Sequence, residues 1–180
     1  GARQGDLLLA ANAVLMHLFI MGGYLLDGLA TAAEQLGGRA LGANYKKGFI
    51  TTVRLSSLWS FVIALLLAGI FWLAGPFIID VMTTEPNVRA LAREYLIYAA
   101  LTPLIGVMAF IMDGVFIGAT WSKDMRNMML LSLVLYLACW KVLVPIWGNT
   151  GLWISLWVFL GARGLTLWLV SRRRIEETFG

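Results

Sequence analysis

Five ionisable side chains interrupt apolar stretches long enough to cross a membrane: Asp27, Glu34, Asp113, Lys141 and Arg163. A charge in hydrocarbon is expensive, so each is a candidate for handling an ion, a proton or a ligand, with a partner to be identified. Asp27, Asp113 and Arg163 each stand about eight to ten residues before the same end of their segments, or roughly 12–15 Å at helical rise. They are therefore placed to meet. Burial raises a carboxyl's affinity for its proton and a neighbouring guanidinium lowers it, so a site built on Asp27 or Asp113 could exchange a proton or a cation near neutral pH. That is the chemistry a coupled transporter needs. The plainer alternative is a fixed ion pair between Arg163 and one aspartate that serves only to specify packing.

Pro103 lies ten residues before Asp113 in the same segment. A proline there frees a carbonyl or permits bending, which favours Asp113 as the working group. Glu34 shares a face with Asp27 two turns away but approaches the end of its segment beside Arg39, where a solvated salt bridge is expected. Lys141 can extend its ammonium to the interface. Asn12, His17 and Tyr24 bring hydrogen-bonding groups to the first segment, either to tie helices together or to support a ligand. A lone His identifies no metal site.

The elements that must position these groups follow from composition. Of 180 residues, 60% are apolar and 13% charged, against roughly 45–50% and about 25% in an ordinary soluble domain. Apolar segments cover residues 7–36, 55–79, 88–119, 127–147 and 152–171, each long enough to cross a bilayer. They lack the apolar-polar alternation of a membrane barrel, so the expected fold class is all-α, a polytopic transmembrane bundle of about five spanning helices. Gly37, Gly38 and Gly42 punctuate the first segment, Pro86 opens the third, Ser122 precedes the fourth, and residues 148–151 precede the fifth. The pairs Gly114/Gly118 and Gly38/Gly42 have the spacing that lets helices approach closely.

Several function classes are excluded. The net charge of +4 is dispersed in short runs between apolar segments, with no basic-aromatic stripe, so a nucleic-acid partner is not expected. Cys139 is the only cysteine, which removes intrachain disulfides and paired-cysteine zinc sites. Phosphate-binding loops, paired-His metalloprotease motifs and nucleophile elbows are missing, so no enzymatic activity and no organic cofactor are expected.

Lys and Arg set the topology. Arg39, Lys46, Lys47, Arg54, Lys123, Arg126, Arg172, Arg173 and Arg174 fall on one side, and only Arg3, Arg89 and Arg93 on the other. This predicts a multi-pass protein of the cytoplasmic membrane with its C-terminus in the cytoplasm. Five crossings would leave the N-terminus outside without a signal, which leads us to expect at least one spanning helix upstream.

Three motifs resemble one family. LAANAV at 9–14, YLLDGLATAAEQLGGRALGA at 24–43 and FIMDGVFIGATWSKDMRN at 110–127 look like the multidrug and toxic compound extrusion (MATE) transporters, in particular their DinF-like branch. The resemblance spans nearly the whole chain and implies helices eight to twelve of a twelve-helix transporter, within its C-terminal lobe. It further implies export of small amphipathic, often cationic organic compounds by alternating access, driven by protons or sodium ions, with membrane lipid and the missing N-terminal lobe as partners. Asp113 matches the acidic position of the tenth helix that takes part in cation coordination in sodium-coupled relatives, so sodium at Asp113 is the only metal implied. Asp27 is typical of the DinF-like pattern, and Arg163, Glu34, Tyr24 and Asn12 remain as support for substrate or ion. Two other readings stay open: a flippase of lipid-linked intermediates, which needs a more cationic cavity, and a non-transporting membrane scaffold.

Overall fold

The computed structural model describes residues 2–180, with side chains from Gly5 onward, so Arg3 lies outside the described side chains. Six helices follow one another: α1 (Ala2–Gly42), α2 (Lys46–Met82), α3 (Pro86–Glu94), α4 (Leu96–Gly118), α5 (Ser122–Trp147) and α6 (Asn149–Phe179). All but α3 are long and apolar enough to span a membrane, giving five such helices among the described residues. The protein is thus all-α with five candidate spans. Large side chains such as Leu73, Phe77, Leu65 and Val142 lie exposed, an arrangement that water would penalise and lipid or a protein partner would accept. The helices outrun the apolar segments because backbone hydrogen bonding continues past the bilayer into the polar region: α1 has 41 residues, about twice the length a crossing requires.

The stretch 88–119, expected as one span, is divided at Tyr95. Glu85, extended at φ −72° and ψ 116°, accepts from the Asn87 amide at 3.3 Å, and Pro86 occupies the first turn. This starts α3, which buries Val88 and Ala92 while carrying Arg89, Arg93 and Glu94. Three charges in so short a helix keep it out of hydrocarbon. Spanning therefore begins only at α4.

Two helix ends share a left-handed closure. At the end of α1, Tyr45 donates to the Ala40 carbonyl and Asn44 to that of Leu41, with Asn44 at φ 51°. At the end of α4, Trp121 donates to Phe116 and Thr120 to Ile117, with Thr120 at φ 61°. This is the Schellman pattern, which satisfies carbonyls a helix end would otherwise orphan. Gly37 and Gly38, expected as punctuation, lie inside α1. Gly148, at φ 60° and ψ −129°, occupies a region that a Cβ would exclude, and so allows α5 to turn into α6.

The chain divides into two compact units, one of residues up to Leu25 with Ile63–Leu104, the other of Leu26–Val62 with Ile105–Gly180. In the first, α3 is tied to α2: Arg93 pairs with Asp80, and Arg89 donates to the Thr83 and Asp80 carbonyls at 2.7 Å each. Arg89 thus caps the end of α2. In the second, Phe49, Phe116, Trp121 and Phe179 form an aromatic chain with ring centroids 5.4–5.7 Å apart. That chain joins the start of α2, the α4–α5 turn and the end of α6, and an ion pair of Arg174 with Asp124 adds to it.

Candidate ion-coupling site

The second unit assembles three of the charges. Its helices approach closely because small residues face backbone. A Cβ on Gly164 of α6 would lie 2.8 Å from the Met108 Cβ and 2.9 Å from the Ala109 nitrogen of α4. A Cβ on Gly114 or Gly118 of α4 would strike the carbonyl oxygen of Ala30 or of Glu34 on α1. The Gly114/Gly118 spacing thus brings α1 against α4, with Gly38 part of the same contact, whereas Gly42 faces open space.

This packing delivers Asp113 from α4 to Arg163 from α6, with Nη2 to Oδ2 at 2.8 Å. The pair is single-stranded rather than a two-bond fork: Oδ1 of Asp113 and Nε of Arg163 are buried and have no hydrogen-bond partner. Their side chains remain 26% and 20% exposed, so the pair is reachable. Asp27 of α1 lies exposed, and the contact of Gly114 with Ala30, one turn from Asp27, brings its helix against the one that carries Asp113. Two carboxylates against one guanidinium leave a formal charge of −1. Such a cluster attracts a proton or a small cation, and the orphaned Oδ1 is a ready acceptor for either.

The remaining candidates are placed differently. Glu34 is half-buried and forms no ion pair among the described residues; the expected bridge to Arg39 is not made. Five positions of separation turn Arg39 about 140° around the helix from Glu34, away from the same face. Tyr24 is 74% exposed and Asn12 half-buried, and both belong to the other unit. His17 and Lys141 are exposed. No group of three or more metal-ligating side chains occurs among the described residues. Sequence reasoning overlooked Asp80, the carboxylate that Arg89 and Arg93 share, and Asp124, the partner of Arg174. Short connections carried the signal: the 83–85 turn forces α3 back against the end of α2.

A multi-pass helical membrane protein with a carboxylate-guanidinium pair inside its spans is the class these features define. The chain belongs to the MatE family, whose model matches residues 2–139. It is 39% identical over 173 residues to DNA damage-inducible protein F of Escherichia coli (strain K12), which covers 96% of this chain and 38% of that protein. It is 28% identical over 163 residues to Protein DETOXIFICATION 42 of Arabidopsis thaliana, covering 90% and 32% respectively. Among solved structures it is similar to an outward-facing multidrug resistance MATE family transporter of the MOP superfamily, with TM-score 0.83, 18% identity and coverage of 94% of this chain and 39% of that one. An inward-facing structure of such a transporter gives the same TM-score at 17% identity, covering 96% and 42%. The chain therefore spans about a third to two fifths of the length of these proteins.

Proposed function

We propose that this chain is the C-terminal lobe of a cation-coupled antiporter of the cytoplasmic membrane, exporting amphipathic, often cationic organic compounds by alternating access. The observation that carries the reading is the Asp113–Arg163 pair, held between two spanning helices with one carboxylate oxygen unpartnered and a second carboxylate, Asp27, on the helix packed against Gly114. Binding a proton or sodium ion at Asp113 cancels the attraction that holds Arg163. Because α4 and α6 touch backbone to side chain at Gly164, a change in that attraction bears directly on how the two helices pack. Asp113 is the coupling residue, Asp27 supplies the surplus charge, and Arg163 is the internal cation that the incoming ion displaces.

Two further observations support the reading. Asp27, Thr31 and Gln35 form an exposed polar stripe on a spanning helix, and such a stripe requires protein or water against it. A second lobe across a solvated cleft supplies both. The basic residues that flank α1, α4 and α6, from Arg39 to Arg174, all belong to one unit, and the positive-inside rule makes that end cytoplasmic. The flippase alternative is weakened because Asp113 neutralises Arg163, the cation such a cavity would need.

Dye efflux by the full-length protein in cells tests the proposal. D113N should abolish gradient-driven efflux while leaving the protein in the membrane, and D113E should retain part of it. Efflux by D113N that still follows the ion gradient would remove Asp113 from the mechanism.

A further inference from the structure

A groove of about 350 Å³ opens in the second unit between α2 and α6, floored by Met108 of α4. Two arginines line it, Arg54 from α2 and Arg172 from α6. Neither has a carboxylate within 4 Å among the described residues, and the ion-paired acids near the end of α6 take Arg173 and Arg174 instead. The guanidinium of Arg172 lies over the Trp168 ring, 5.3 Å from its centroid. That contact helps hold the guanidinium at the groove wall, and a guanidinium's planar fork of N–H donors suits phosphate oxygens. Ser57, one turn from Arg54 on the same helix face, adds a hydroxyl, while the Ser171 hydroxyl is spent on the Trp168 carbonyl at 2.6 Å. The other wall residues are apolar. Two unpaired guanidinium groups above an apolar trough, at the basic end of spanning helices, complement an anion that carries acyl chains.

We infer that this groove binds the phosphodiester headgroup of an anionic phospholipid, with Arg54 and Arg172 on the phosphate and the acyl chain along the apolar wall. Its volume is within the range of small-ligand pockets and accommodates a glycerophosphate group. Assignment to the inner leaflet rests on the orientation proposed above; binding in the groove does not. A lipid there would bridge α2 and α6 on a face separate from Asp113, Arg163 and Asp27.

Native mass spectrometry of the purified full-length protein, with phosphatidylglycerol or phosphatidylcholine added, tests this. Phosphatidylglycerol should be retained and phosphatidylcholine lost. R54Q and R172Q should each weaken retention about fivefold, and together about 25-fold, at about 1 kcal/mol for each arginine near the membrane surface. R126Q, at an exposed arginine of the same unit outside the groove, should change nothing. Equal retention of the two lipids, or an R126Q loss as large as that of R54Q, overturns the proposal. So does displacement of the lipid by millimolar inorganic phosphate, which would mark a free-anion site, or a groove that takes neither lipid because protein covers it. The first and last two arms need only the wild-type protein, so a Gln variant that fails to fold leaves the question decidable. Dye efflux and its ion dependence are read separately, so loss of lipid binding with intact efflux leaves the transport proposal standing.

Discussion

Adding a single methyl group at Gly114 should separate two spanning helices. The new Cβ of Gly114→Ala would meet three backbone atoms of Ala30, clashing with its oxygen and standing 2.8 Å from its carbonyl carbon and 3.1 Å from its Cα. Backbone cannot rotate aside as a side chain can, so α1 and α4 must move apart by about 1 Å. A gap of roughly 0.5–1 Å forfeits about a quarter to a half of the dispersion energy of each facing atom pair. Overpacking of this kind costs about 1–3 kcal/mol, and the helix propensity gained by Ala over Gly returns up to about 1. We expect a net loss of about 1–2 kcal/mol. Gly118→Ala meets Glu34 in the same manner, and because the first separation relieves the second clash, the double variant should cost less than the sum. Gly161→Ala on α6, where a Cβ meets nothing within 4 Å, is the control and should be neutral or stabilising. Unfolding in mixed detergent, followed by tryptophan fluorescence, reads all four. If Gly114→Ala is as stable as Gly161→Ala, the close α1–α4 contact that brings the helix of Asp27 against that of Asp113 is not as described.

Arg163→Gln leaves Asp113 unpartnered, and since the pair is about a quarter exposed the cost should sit near the low end for a buried pair, about 2–3 kcal/mol. Combining it with Asp113→Asn should recover most of that loss in the same unfolding assay; an additive double variant would contradict the pairing. Thr120 is a β-branched residue held at φ 61°, so Thr120→Gly should stabilise by about 1 kcal/mol, with Thr120→Asn intermediate. A destabilised Thr120→Gly in thermal unfolding would mean that the threonine side chain outweighs its backbone strain.

The spans were legible because membrane crossing depends on apolar length, and length is written directly in the chain. The break at Tyr95 was harder, since Leu91, Ala92 and Leu96 keep the stretch apolar while the three charges around them set the boundary. Depth arithmetic was enough to bring Asp113 and Arg163 to one level, because both sit on spans counted from the same side. It could not identify which carboxylate Arg163 would take, nor foresee that the bond would leave one oxygen unpartnered. The spacing of Gly114 and Gly118 announced a close contact, but its partner is ordinary backbone at Ala30 and Glu34, which no small-residue pattern marks. Glu34 and Arg39 show the reverse error: adjacency along the chain suggested a bridge that helical rotation forbids. Arg54 and Arg172 were read only as topological markers, because the groove they share with Trp168 is built from helices distant in sequence.

Ion movement in proteoliposomes is the most direct test of the coupling role of Asp113. The full-length protein, reconstituted with a substrate gradient and no imposed ion gradient, should drive proton or sodium-22 flux in the opposite direction to substrate. Asp113→Asn should abolish that flux while the protein remains folded. Undiminished substrate-dependent ion flux through Asp113→Asn would contradict the account.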